Sequence, residues 1–228
     1  MRRYSLILII FITVLSFFFI ENILSGDLPE QNIIARLKYD GGGDWYSNPT
    51  SLPNLAGFIN RETNLRINTN IETVTLDDNK IFSFPVVYMT GHGNVRFSDD
   101  QVMLMRKYLT NGGFLFADDN YGMDTSFRKQ IKKVFPSMSD PFKALPFDHG
   151  IYHIYYDFPK GLPKIHEHAG GPPAGYGVFY NGRLVAFYSF NTDLGDGWEN
   201  PEIHNDPEHL RLAALKTAVN VILYAIMN

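Results

Sequence analysis

FPVVYMTGHGNVRFSDDQVMLMRKYLTNGGFLFADDN, residues 84–120, reads as strand, glycine turn, helix, glycine stop and strand. Residues 86–89 are a short apolar run of β-formers, long enough for a strand buried on both faces. Gly91-His92-Gly93 turns the chain. Ser98 and Gln101 have the spacing of a capping box, and Asp99 and Asp100 put negative charge at the helix start. Val102, Met105 and Leu109 fall on one helical face. Asn111-Gly112-Gly113 provides the left-handed stop, and residues 114–117 are a second buried strand ending in Asp118-Asp119. A unit of this length predicts a right-handed crossover between parallel strands. Gly91, His92 and Gly93 then share the carboxyl edge of the sheet with Asp118 and Asp119, and that edge is where open α/β sheets bind ligands. The expectation is one imidazole and two carboxylates as neighbours in a crevice, with His92, Asp118 and Asp119 as candidate catalytic groups. The competing reading makes the aspartates turn or helix caps and His92 a solvated loop residue.

Upstream, residues 33–39 (IIARLKY) form a strand candidate that runs into Asp40-Gly41-Gly42-Gly43-Asp44-Trp45-Tyr46. Three glycines permit positive φ or a close backbone approach. Neither the G-x-G-x-x-G spacing nor a P-loop lysine is present, so a tightly turned or mobile loop displaying Trp45 and Tyr46 fits better than a phosphate cradle. Gly41, Gly42, Gly43, Asp44 and Trp45 are candidate ligand-binding residues on the same sheet edge, together with Gly91 and Gly93. Residues 52–63 predict a helix with Pro53 in its first turn, and residues 71–76 alternate as a strand. Strands alternating with helices indicate an α/β sheet.

Downstream, residues 126–135 predict a helix, and Pro136 and Pro141 interrupt regular structure after it. Residues 147–159 (FDHGIYHIYYDFP) read as an extended strand with His149 and His153 on one face. That pair is either a weak metal-ligand candidate or two partly buried imidazoles, and His149 also counts as a ligand-binding candidate. His166-Glu167-His168 lies in a Pro/Gly-rich loop, and no H-E-x-x-H occurs. Asn181-Gly182 between apolar strands predicts a type I′ hairpin. Asp193, Asp196 and Glu199 do not match a calcium loop and read as an acidic turn beside an exposed Trp198, a further ligand-binding candidate. Asp206-Pro207-Glu208 predicts an N-cap, N1 proline and first-turn acid for a helix running to about residue 226, with His204 and His209 flanking its start.

The 228 residues suffice for one α/β domain with a sizeable core, expected over residues 27–228. Net charge is −4 with no basic run beyond Lys132-Lys133, which argues against nucleic acid as a partner. There is no cysteine, so thiol nucleophiles, Cys-based zinc sites and disulfides are excluded. Arg2-Arg3 precedes an apolar run over residues 4–20. Residues 1–26 are expected to be a signal peptide or a short membrane anchor, the weak cleavage site notwithstanding, so that the domain is exported and is periplasmic or tethered facing the periplasm.

ARLKYDGGGDWY, VVYMTGHG, LTNGGFLFADDN, DHGIYHIYYDFP, GVFYNGRLVAFYS and DLGDGWE together resemble an uncharacterised bacterial domain-of-unknown-function family whose fold is similar to class I glutamine amidotransferases. The resemblance covers nearly everything after the export segment. It implies an α/β, three-layer, flavodoxin-like, mostly parallel sheet with helices on both faces and a C-terminal hairpin plus helix. It implies no reaction. Amidotransferases use a cysteine at a strand-to-helix elbow, where this chain carries Asp118-Asp119, and no G-x-S-x-G supplies a serine. Two functional readings are open. One is a non-catalytic, exported module binding an envelope protein or glycan, with no cofactor specified. The other is a carboxylate- and histidine-dependent hydrolase of an envelope component, with or without a metal, using Asp118 or Asp119 with His92 and His149. A membrane-tethered structural component is a third, blander alternative.

Overall fold

The structure is a computed structural model that describes residues 29–166 and 170–228; the expected export segment, and Glu167 and His168 of the loop pair, lie outside the described residues. Seven strands form one sheet: β1 (Ile34–Leu37), β2 (Glu72–Val74), β3 (Val86–Met89), β4 (Phe114–Asp118), β5 (Phe142–Ala144), β6 (Ala174–Tyr180) and β7 (Arg183–Phe190). Their order is β2-β1-β3-β4-β7-β6-β5. Neighbours from β2 to β7 pair in parallel, and β6 alone runs against the rest.

The opening unit folds as its pattern demands. Val86 to Met89 register in parallel with Phe114 to Ala117. Between them, α2 (Asp99–Thr110) starts at a complete capping box, Ser98 accepting from the Gln101 amide and Gln101 accepting from the Ser98 amide. The other helices are α1 (Ser51–Glu62), α3 (Asp124–Val134), α4 (Leu194–Trp198), α5 (Pro201–His204) and α6 (Glu208–Met227).

Side-chain alternation on the buried strands builds two cores, one on each side of the sheet. Val86, Tyr88, Phe114, Phe116 and Phe187 meet α1 and α6 through Leu55, Ile59, Ala218 and Ile222. Val87, Met89, Leu115, Ala117 and Tyr188 meet α2 and α3 through Met105, Leu109, Phe127 and Ile131. By length and composition α6 is apolar enough to cross a membrane, but Ala214, Ala218, Val221 and Ile222 are buried in the first core, so it serves as a core helix of the sheet.

Several expectations are corrected. Residues 147–159 do not form a strand. They fold around a 3₁₀ turn at Gly150–Tyr152, held by the Tyr152 amide on the His149 carbonyl and the His153 amide on Gly150. Further along, the Asn220 side chain takes both the amide and the carbonyl of Tyr156, at 2.8 Å each, the groups that a strand ladder would need. Strand β5 was not expected; it sits at the sheet edge directly after Pro141, where a missing N–H costs no ladder bond. The acidic turn is the short helix α4, and its Trp198 is wholly buried against Tyr88 and Phe116, ring centroids 5.2 and 5.8 Å away. Helix α6 begins at Glu208 with no side-chain cap, because the Asp206 carboxylate is engaged by His166 instead.

Candidate functional site

Strands β1, β3, β4 and β7 are parallel, so the loops at their carboxyl ends share one edge. Two assemblies stand there.

The first joins the loops after β1 and β3. The Gly43 amide donates to Asn94 O at 3.0 Å, the Asp44 amide to His92 O at 3.2 Å, and the Arg96 amide to Asp40 O at 2.7 Å. This zipper is what the glycines permit. Gly41 has φ +117, and a Cβ there would lie 2.7–2.9 Å from backbone atoms of Asn94, Val95 and Arg96. Asp44 accepts from the His92 amide through Oδ1 and lies 3.0 Å from His92 Nδ1 through Oδ2. The imidazole is thereby brought to Asp44, with a half-exposed side chain. Trp45 is partly buried under Lys38, whose Nζ is 5.5 Å from the ring, while Tyr46 is exposed. Between these loops and α3 lies an open cleft of about 610 Å³. Gly41, Gly42, Arg96, Lys129 and Lys133 line it, and Ser126 and Gln130 of α3 fix its floor by accepting from the amides of Val95 and Phe97.

The second assembly lies at the ends of β4 and β7. Asp118 is fully buried, and its carboxylate is saturated. Oδ1 accepts from Ser189 Oγ (2.5 Å), Thr192 Oγ1 (2.9 Å) and the Leu194 amide (3.3 Å); Oδ2 accepts from the Gly195 amide (2.8 Å) and Tyr88 Oη (3.2 Å). Burial raises its pKa, and the bonds from Ser189, Gly195 and Thr192 pull it back down. Asp118 thus ties down the first turn of α4, and its position is that of a structural anchor. Asp119, also buried, accepts a long bond from the Met123 amide; burial and the neighbouring Asp118 charge raise its pKa to about 6.

After β7 the chain turns sharply through Asp193, a non-glycine residue at φ +53, a conformation that Asp tolerates better than most. Its pKa is raised to about 9, first by burial and then by the charges of Asp118, Asp196, Asp119 and Asp206. Helix α4 then presents Asp196 to His166 and His204. Asp196 Oδ1 accepts from Asn48 Nδ2 at 2.5 Å, and Oδ2 lies 2.8 Å from His166 Nδ1. The other nitrogen of His166 lies 2.8 Å from Asp206 Oδ1. His204 Nε2 is 3.8 Å from both Asp196 Oδ1 and Glu199 Oε2, and Glu199 Oε1 is fixed by the amide and hydroxyl of Thr50. Buried carboxylates and two partly exposed imidazoles therefore converge at one end of the sheet.

Of the four candidate residues, His92 faces Asp44 from a loop that is also bridged to Tyr121, two residues past Asp119. Asp118 holds the first turn of α4, and Asp119 accepts from the Met123 amide just before α3. His149 is at the opposite edge: its ring packs on Tyr224 and Phe179, and Phe179 pairs beside Leu184 at the amino end of β7, about 17 Å along the strand from Ser189. His149 Nδ1 accepts from the Ile151 amide, and burial lowers its pKa. Both nitrogens of His153 have partners, Asp157 and the Phe147 carbonyl. Trp198, fully buried, offers no face to a ligand. The sequence showed His166 in a Pro/Gly-rich loop, Asp196 and Glu199 in an acidic turn, and His204 and Asp206 at the start of a helix, each weak alone; their spacing matches no short motif because separate segments are brought together only by the fold.

The chain belongs to the domain of unknown function family DUF4159, whose family model matches residues 33–226. No curated protein matches it.

Proposed function

We propose that this DUF4159 domain is an exported, non-catalytic module that binds a small anionic ligand, or an anionic stretch of an envelope glycan or protein, in the cleft between the β1 and β3 loops. The observation that carries the reading is the positive lining of that cleft. Arg96, Lys129 and Lys133 face it, and among the described residues none of the three forms an ion pair. In a chain of net charge −4 such an island favours an anion, and long-range attraction raises its encounter rate. The cleft also adjoins the switch point between β1 and β3, where strand order reverses and ligands of open sheets are held. Three cations are too few for the phosphate contacts on which nucleic-acid binding depends, which supports excluding that partner.

The strand order β2-β1-β3-β4-β7 supports a flavodoxin-like, amidotransferase-like classification, with Asp118 standing where a nucleophile would be needed. Fold alone confers no activity. Export rests on the N-terminal sequence, and the membrane is a partner where that segment stays uncleaved. The test is titration of the protein with inorganic phosphate and with an oligouronate, followed by calorimetry. Binding weakened about three- to tenfold by each of Arg96→Ala and Lys129→Ala is expected, and binding indifferent to both substitutions refutes the reading.

A second reading, the carboxylate- and histidine-dependent hydrolase, draws on a specific observation: His166 and His204 converge on the Asp196 carboxylate, the residue types that general acid–base work on a water requires. Turnover of an envelope substrate that is lost in His166→Ala distinguishes it from pure binding.

A further inference from the structure

We propose that His166, Asp196 and His204 bind one divalent transition-metal ion, with Glu199 as a fourth ligand and Asp206 orienting His166. This site does not depend on the anion cleft. One ligand atom from each of the three residues lies within 4.8 Å of the others. Two ligands bonded at about 2.1 Å to a shared tetrahedral ion sit about 3.4 Å apart, and the separations of 2.8 and 3.8 Å from Asp196 to His166 and His204 bracket that value.

The orientation of each group fits. His166 presents Nε2 to Asp206 Oδ1 at 2.8 Å, a carboxylate–histidine pairing that fixes the ring and turns Nδ1 toward Asp196. His204 Nε2 is buried, makes no hydrogen bond, and stands 3.8 Å from a carboxylate oxygen of both Asp196 and Glu199. That separation is too long for a hydrogen bond and right for two ligands flanking an ion. Glu199 Oε1 is pinned by Thr50, which holds its Oε2 on the His204 side.

Two further observations point to a cation. Asp206, with a side chain only 7% exposed, has a buried Oδ2 without a hydrogen-bond partner. Asp196, Glu199 and Asp206 are all buried carboxylates, and among the described residues no lysine or arginine forms an ion pair with any of them, Arg36 acting on Glu199 only at longer range. Burying such charge is costly unless a counter-charge is supplied. The imidazoles, each roughly a quarter exposed, leave a path for the ion. Two nitrogen donors with carboxylate oxygens select zinc or manganese-class ions over calcium or magnesium, which prefer oxygen alone.

The test uses the full-length protein, freed of metal with a chelator and dialysed against Zn²⁺, Mn²⁺ or Ca²⁺, with bound metal counted by mass spectrometry. One Zn²⁺ or Mn²⁺ per chain is expected, with affinity at least tenfold weaker in His166→Gln and His204→Gln and about tenfold weaker in Asp206→Asn. His153→Ala, whose imidazole is held by Asp157 and Phe147, leaves binding unchanged. Circular dichroism of the metal-free variants checks their folding. Co²⁺ loading of the unaltered protein gives a measurement that needs no variant: visible absorption distinct from the hexa-aqua ion is expected. No bound Zn²⁺ or Mn²⁺, binding retained in both histidine variants, equal affinity for Ca²⁺, or an aqua-type Co²⁺ spectrum each overturns the proposal and leaves the cluster as an ion-pair network.

Discussion

Replacing Asp118 by Asn separates an anchoring role from a catalytic one. The change is isosteric, so no cavity arises, and the effect lies in hydrogen bonding. Five donors converge on this carboxylate: the Ser189, Thr192 and Tyr88 hydroxyls, and the amides of Leu194 and Gly195. The hydroxyls can turn to accept from an Asn NH₂, but backbone amides cannot. Because Leu194 donates to Oδ1 and Gly195 to Oδ2, either orientation of the Asn side chain leaves one amide facing an NH₂ group. A buried donor without an acceptor costs about 1–3 kcal/mol, and the charge-assisted character of the remaining bonds is also lost. Relief from burying a carboxylate offsets part of this. The expected net loss is about 2 kcal/mol, read as a lower midpoint at unchanged slope in urea denaturation. Hydrogen exchange should also show earlier opening of Leu194 and Gly195. A variant within about 0.5 kcal/mol of the unaltered protein refutes the anchoring argument.

Asp119 gives a pH prediction. Its folded pKa of about 6 exceeds the unfolded value of about 3.9, so between these values the folded state holds the extra proton. This contribution is present at low pH and is lost as pH rises from about 4 to about 6, up to about 3 kcal/mol in all. Asp119→Asn should remove that slope and stabilise the protein at pH 8; denaturation across a pH series checks it, and an unchanged slope counts against it. Asn220→Leu should cost about 2 kcal/mol by stranding the Tyr156 amide and carbonyl, with loss of exchange protection at Tyr156 as the local signature. Gly41→Ala should cost about 2 kcal/mol or more, through its φ of +117 and the Cβ contact with the β3 loop, and a neutral result in thermal melting would refute the close-approach argument. Ser98→Ala should cost about 1 kcal/mol through its capping box, a drop in Tm of about 2–4 °C.

Elements whose signals are local were legible in the chain: residues 84–120, the Ser98 box, the Asn181-Gly182 hairpin and the long C-terminal helix. Periodicity, caps and turn residues specify these within a dozen residues, and the crossover rule then places Gly91 and Asp118 on one edge. Residues 147–159 misled because alternating aromatics mimic a strand, whereas Asn220, more than 60 residues on, satisfies the Tyr156 backbone instead. Likewise Trp198 carries no local mark of burial; only the approach of Tyr88 and Phe116 decides it. Charge shows the same division. Sequence alone established that Asp118 and Asp119 end a buried strand, that no thiol can act and that His92 lies just past the end of another strand. Which partner each acid or imidazole meets is a matter of distances of a few ångströms between separate loops. That part was decided by the tertiary structure: His92 went to Asp44, Asp118 to the amides of α4, and His166 to Asp196 and Asp206, because chain packing brings together groups that no sequence spacing relates.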